Sequence, residues 1–309
     1  MARIAEAFAP GSIGNVGPGL DVLGLAVAGL GDTVIAERRD RSGIELADPG
    51  HEELPREPDR HASALAARAV LHRAGADSLG MVLHVRKRLP LSGGQGGSAA
   101  SAVAGAGAVN ALLAEPLPPD QLLAAALEAE SVVAGRHLDN IAASLLGGLV
   151  LVRSLDPIDA VTVPIPPDLP LVLVQPRMRL KTADGRAALP ASVPLSTVIH
   201  QMAQVGAIVA AAAEGNLALL GRAIDDRIAE PSRAPLLPGF TEAKRAAQEA
   251  GALGCSISGS GPTAFALAPD AASAPAIARA MVEAYARAGL EADARITHPD
   301  LNGLRVEIS

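Results

Sequence analysis

The chain has 309 residues, 49% of them hydrophobic and 19% charged, with a net charge of −7, a balance that fits a soluble globular protein of one large or two ordinary domains. With no Trp, one Tyr, three Phe and no long Lys/Arg block, it lacks both the stacking surface and the basic face that a nucleic-acid partner needs. The single cysteine, Cys255, excludes a disulfide framework, and residues 1–6 contain no apolar signal core, so a cytoplasmic chain is expected.

Short strands are predicted over 4–7 and 33–37, on either side of a first glycine-rich segment, Gly11 to Asp21. An amphipathic helix is predicted over 61–74 and an alternating strand over 81–85. Next come the basic triplet Arg86-Lys87-Arg88 and a second glycine-rich segment, Pro90-Leu91-Ser92-Gly93-Gly94-Gln95-Gly96-Gly97-Ser98-Ala99-Ala100. A helix opens near Ser98 and ends before Pro116, and another, capped by Asp120, runs to about Gly135. Beyond His137-Leu138-Asp139-Asn140, a double glycine leads into a buried strand over 145–152. A proline-rich stretch over 157–170 separates the halves, giving expected domains of 1–157 and 158–309. The second half reads as a strand over 171–174, a loop carrying Arg177, Arg179, Lys181 and Arg186, and three helices. A hairpin around Gly259-Ser260-Gly261-Pro262, a helix from Pro275 and closing strands complete an α+β domain with a smaller antiparallel sheet. The apolar runs 99–114 and 202–213 are short and rich in Ala and Gly, and both are expected to be closely packed soluble helices rather than membrane spans.

The Pro90 turn is the chemically informative segment. Glycines let the backbone approach a ligand and aim successive N–H groups at it, and the helix opening at Ser98 adds its positive end at the same point. A nucleotide triphosphate is the expected guest. No Lys-Ser/Thr pair follows the last glycine, as a P-loop requires, and Gly94-Gln95-Gly96-Gly97-Ser98-Ala99 breaks the dinucleotide fingerprint at its third glycine. Glu130 shares a helix face with Leu123 and Ala126, which aims a carboxylate at the interior. Such a group persists only beside a cation, so it is either a structural ion pair or a Mg²⁺ ligand.

Three glycine-rich segments in fixed order, Pro10-Gly11 to Leu20-Asp21, the Pro90 turn and Gly254-Cys255-Ser256-Ile257-Ser258-Gly259-Ser260-Gly261-Pro262-Thr263, resemble the GHMP small-molecule kinases. Asn15 to Gly24, His137 to Asn140, Thr182 to Pro190, Ile228 to Arg233 and Leu236 to Phe240 are similar to the branch that acts on L-homoserine. The resemblance implies an N-terminal ribosomal-protein-S5-domain-2-like domain, a C-terminal ferredoxin-like domain and an active site in the cleft between them. It further implies an ATP-dependent kinase that phosphorylates the L-homoserine hydroxyl toward threonine, with a homodimer as the family expectation. ATP is expected on Lys87 and the segment Pro90, Leu91, Ser92, Gly93, Gly94, Gln95, Gly96, Gly97, Ser98, Ala99 and Ala100. Ser98 and Glu130 match magnesium ligands. Asn15, Asp21, Asn140, Thr182, Arg186, Arg233 and Gly259 match substrate contacts, with Asn140 near the reacting hydroxyl, Asp21 suited to an ammonium and the two arginines to a carboxylate. Asp139 is the candidate base or, alternatively, the organiser of Asn140.

The chain departs from the family pattern at several positions. Gln95 stands for a leucine and Gly97 for a serine in the phosphate turn, Ile13-Gly14 for Ser-Ala, Leu20 for Phe, and His61 for an Asn near the adenine. His137 and His200 read as structural, or as supporting the residues that touch ligand, rather than as catalytic. Two alternatives stay open: another kinase of the family, of mevalonate or shikimate type, and a ligand-binding regulator that has kept the fold without catalysis.

Overall fold

The computed structural model describes residues 3–309. The first domain carries β1 (Ile4–Gly14), β2 (Leu23–Arg39), β3 (Gly43–Asp48), β4 (Gly80–Arg86), β5 (Leu149–Leu155) and β6 (Ile158–Val163), with helices α1 (Ala62–Arg73), α2 (Gly97–Asn110), α3 (Pro119–Val133) and α4 (Asp139–Leu146). The second holds β7 (Leu171–Pro176), β8 (Gly254–Ile257), β9 (Ala264–Leu267) and β10 (Ala292–Thr297), with α5 (Thr182–Ala187), α6 (Leu195–Glu214), α7 (Leu217–Ala223), α8 (Ala229–Arg233), α9 (Phe240–Glu249) and α10 (Ala274–Arg287). The last strand, β11 (Arg305–Ile308), returns to the first sheet.

The seven-stranded sheet runs β11-β1-β2-β4-β3, with β5 on β2 and β6 on β5; only β3 and β4 are parallel. It thus takes β6 and β11 from beyond residue 157. The second sheet, β10-β7-β9-β8, is antiparallel throughout. β1 and β2 are far longer than the predicted 4–7 and 33–37. Glycine and proline broke the sequence signal, while a register shift at Pro10/Gly11 lets the ladder continue past them.

α2 is the axis of the first domain. From Ala99 to Asn110 every residue is buried, which only a helix of small side chains permits when neighbours close on all sides. The expectation of close packing fails for α6, which buries only Gln201, Ile208, Ala211 and Ala212 and exposes Leu195, Ile199 and Met202. It is long and apolar enough to cross a membrane by length and composition. The predicted helix at Asp120 begins one residue earlier, with Pro119 at its first position and Pro118 as cap. α4 went unpredicted, because its eight residues follow Gly135 and end at the double glycine, too short for a periodic signal.

The turn that follows β4 is fixed from below. Asp32, fully buried on β2, accepts the Lys87 ammonium, the Arg88 and Leu89 N–H groups at 3.0 and 3.1 Å, and the Ser101 hydroxyl at 2.6 Å. Lys87 Nζ also donates to Gly97 O at 2.6 Å and to Ser101 Oγ at 3.1 Å. Breaking a buried pair from one side strands the other charge, at a cost of about 3–5 kcal/mol. Lys87→Met should therefore lower the urea midpoint steeply at neutral pH. A midpoint unchanged from the parent protein would contradict the role given to this pair.

Candidate active site

A cleft of about 1040 Å³ lies between the domains, walled by Pro90 to Gly94, Gly96, Gly97 and Ser98 on one side and by Lys181, Thr182, Gly259 and Ser260 on the other. Glu130, His137 and Asn140 close its floor, and Glu53, Leu54, Pro55 and His61 line the far end. Gly96, the cap of α2, has φ +67°; a side chain there would be strained and would run into Ser12 Oγ and Asn140. The helix start is therefore bare backbone facing the cleft, the arrangement that favours an anion.

Ser98 Oγ donates to Glu130 Oε1 at 2.7 Å, while Oε2, equally buried, has no hydrogen-bond partner. Burial pushes the Glu130 carboxyl up to about 7 from 4.5, against the smaller opposing pulls of Ser98 and the Lys87 ammonium. An orphaned carboxylate oxygen beside a hydroxyl is the donor set of a hard divalent cation that draws its remaining ligands from phosphate and water. Among the described residues no group of three or more His, Cys, Asp or Glu side chains could hold a metal on its own.

The strap after β1 builds the neighbouring site. Asn15, Val16 and Asp21 have φ of 67°, 46° and 61°, conformations that cost non-glycine residues energy and persist where surroundings enforce them. The enforcing bonds are visible: Asp139 Oδ2 accepts Asn15 N at 3.1 Å, Asn15 Oδ1 accepts Asp21 N at 3.1 Å, and Asn15 Nδ2 donates to Gly259 O at 3.0 Å. Arg233, only 4% exposed, donates to the same Gly259 carbonyl at 2.8 Å and to Gly185 O at 3.1 Å. Burial and the nearby Arg186 charge hold its pKa below the usual guanidinium range. Asn140 Oδ1 accepts Ser12 Oγ at 2.9 Å, which ties α4 to β1 beneath the phosphate turn.

Several expectations change. Asp21 and Arg186 do not stand apart awaiting ammonium and carboxylate; they hold each other in a bidentate pair at 2.6 and 2.7 Å. Asp139 is buried behind the strap, its carboxyl raised by burial and by the Asp21 charge; it bonds the backbone of Asn15 and Asn140 and, like Asn15, Asp21, Arg186 and Arg233, is not among the residues that line the cleft. Lys87 lines the cleft as expected, and its ammonium also bonds Asp32, Gly97 O and Ser101 Oγ. Gln95, Ala99 and Ala100 do not line the cleft: the alanines point into the core, and Gln95 reaches the second domain. Ala99 and Ala100 face inward because α2 is buried on all sides. His137 lies on the cleft wall, and His200 binds Asp225. His61 sits at the cleft's far end, its Nε2 3.2 Å from Pro49 O. Ser12 and Asp32 went unnoticed in the sequence; a lone acid inside an apolar strand pattern was the available signal for Asp32.

Because Glu130 titrates near 7 when folded and near 4.5 when unfolded, the folded state binds its proton more tightly, and stability falls as pH rises across that interval. In metal-free buffer, Glu130→Gln should abolish a loss on the order of 3 kcal/mol between those limits; parallel pH–stability curves would contradict this. Gly97 has an ordinary φ, and the tightest neighbour of a Cβ at this position would be Lys87 Nζ, 3.0 Å away. Gly97→Ser should therefore keep the KM for ATP within about threefold, whereas Gly96→Ala should raise it by about tenfold or more; the reverse order would refute this reading of the turn.

Comparison with known proteins agrees with this geometry. The GHMP kinases N terminal domain family matches residues 61–148, and the GHMP kinases C terminal family matches residues 208–287. The homoserine kinase of Chlorobium phaeobacteroides is 41% identical, with 92% of each chain covered. That of Arabidopsis thaliana is 42% identical over 97% of this chain and 84% of its own. The crystal structure of homoserine kinase from Cytophaga hutchinsonii superposes with a TM-score of 0.94 at 37% identity, covering 99% of this chain and 98% of that one. GHMP kinases use ATP as phosphate donor, and this chain belongs to the GHMP kinase family and, within it, to the homoserine kinases.

Proposed function

We propose that the chain transfers the terminal phosphoryl group of ATP to the side-chain hydroxyl of L-homoserine, forming O-phospho-L-homoserine, with Mg²⁺ held by Ser98 and Glu130. The observation that carries the substrate reading is the Asp21–Arg186 pair, whose charges act on Arg233, itself bonded to Gly259 O one residue beyond the Ser258 hydroxyl that bonds the phosphate turn at Gly94 O, 2.6 Å away. A zwitterion exchanges the Asp21–Arg186 pair for two new contacts, its ammonium on Asp21 and its carboxylate shared by Arg186 and Arg233. A simple acid or a simple amine offers only half of that exchange, and an uncharged alcohol none of it.

When bound, the magnesium ion neutralises triphosphate charge as it develops in the transfer. The residues do the rest. Backbone N–H groups of the turn and the start of α2 hold the phosphates, and Asn140, locked by Ser12, orients the hydroxyl beside them. Asp139 holds Asn15 and thereby the whole strap, so alignment and charge stabilisation account for the chemistry without a strong base.

Removing the carboxylate from the substrate leaves the arginines unpaired, so L-homoserine should exceed 3-aminopropanol in kcat/KM by about 30-fold or more. Arg233→Leu should erase most of that preference with ATP affinity nearly unchanged. Equal discrimination before and after the substitution would remove Arg233 from the carboxylate site. Equal use of both substrates by the parent enzyme would reject the amino acid reading.

A further inference from the structure

Gln95 lies inside the phosphate turn yet turns its side chain away from the cleft. The residue is 5% exposed, and its carboxamide is fully engaged by the second domain. Nε2 donates to Gln175 Oε1 on β7 at 3.0 Å and to Thr263 Oγ1 at 3.3 Å, and Oε1 accepts Arg295 NH2 from β10 at 3.2 Å. Arginine only donates, so the orientation of the amide is fixed by its partners. Arg295 NH1 continues to Ala28 O on β2 at 3.2 Å, and Gln95 O accepts Ser12 N at 3.1 Å. The two residues before Gln95 are held from the same side: Thr263 Oγ1 donates to Gly93 O and Ser258 Oγ to Gly94 O, each at 2.6 Å. Thr263 thus gives its proton to Gly93 and receives one from Gln95, a closed network in which each bond supports the next.

We propose that Gln95 is a positioning residue which, with Arg295, anchors the phosphate turn to the C-terminal sheet, and so sets the geometry of nucleotide binding from the opposite domain. The inference rests on the reading of this turn as the ATP site. Gln95 flanks Gly94 and Gly96, whose φ of +75° and +67° aim the neighbouring N–H groups; a backbone so free of intrinsic preference takes its conformation from its anchors. A leucine here fills the space and takes from the half-buried Gln175 and Arg295 groups the amide they share, which loosens the turn rather than the chemistry.

The test is calorimetric binding of MgATP together with steady-state kinetics on Gln95→Leu and, as a second variant remote from the cleft wall, Arg295→Leu. Gln95→Leu should weaken MgATP binding and raise its KM by about tenfold, with kcat and the KM for homoserine within about twofold. Arg295→Leu should move the same quantities in the same direction, and it carries the test should Gln95→Leu fail to fold. A folded variant with a lowered melting temperature but unchanged MgATP affinity would overturn the proposal and leave the ATP site standing. A parent protein that fails to bind MgATP at all would overturn both.

Discussion

The buried Asp32 carboxylate is the constraint on which the site depends. It gathers the Lys87 ammonium, two consecutive backbone N–H groups and the Ser101 hydroxyl, and so joins the exit of β4 to the first turn of α2. The nine residues between Arg88 and Ser98 are thereby held at both ends, and a glycine-rich loop that would otherwise pay heavily in entropy on binding is short and pre-organised. Lys87, on the cleft wall, is absorbed by Asp32, and Arg295, behind the turn, serves Gln95 and Ala28. Arg60 and Lys181 also line the cleft and stand beside the backbone dipoles of the turn.

Glu130 and Asp139 illustrate two uses of a buried acid. Glu130 keeps one oxygen unpartnered at the edge of the cleft, a destabilising arrangement in the isolated protein that a cation relieves. Asp139 has its carboxylate bonded to the backbone of the strained strap at Asn15 and to that of Asn140. Strain at Asn15, Val16 and Asp21 is tolerated because this anchor and the Gly259 carbonyl over-determine the loop. The strap, the Gly259 loop and Arg233 consequently form one unit spanning both domains.

Much of this was legible in the sequence because its chemistry is local. Glycines after an alternating strand identify a ligand-facing turn, and a carboxylate on an apolar helix face identifies Glu130, whatever the rest of the chain does. The fold class and the antiparallel second sheet likewise follow from short-range pattern. What escaped reading is non-local. The continuation of β1 and β2 through Pro10, Gly29 and Gly31 depends on partners far away in sequence, and α4 is too short to announce itself. The family resemblance brings Asp21 and Arg186, 165 positions apart, to one site, but nothing in either segment says that they pair with each other. Gln95 shows the limit most plainly: its place in the turn suggests ligand contact, and only the tertiary structure reveals that its amide faces the other domain.

The central claim is that this cleft brings ATP together with a small zwitterionic alcohol and phosphorylates its hydroxyl. Phosphorus NMR of reactions containing purified protein, ATP, Mg²⁺ and, in separate tubes, L-homoserine, mevalonate, shikimate or galactose measures that directly. The account predicts a new phosphomonoester resonance with L-homoserine, formed in step with ADP, and little or none with the other three. A phosphomonoester formed from mevalonate, shikimate or galactose but not from L-homoserine would contradict it.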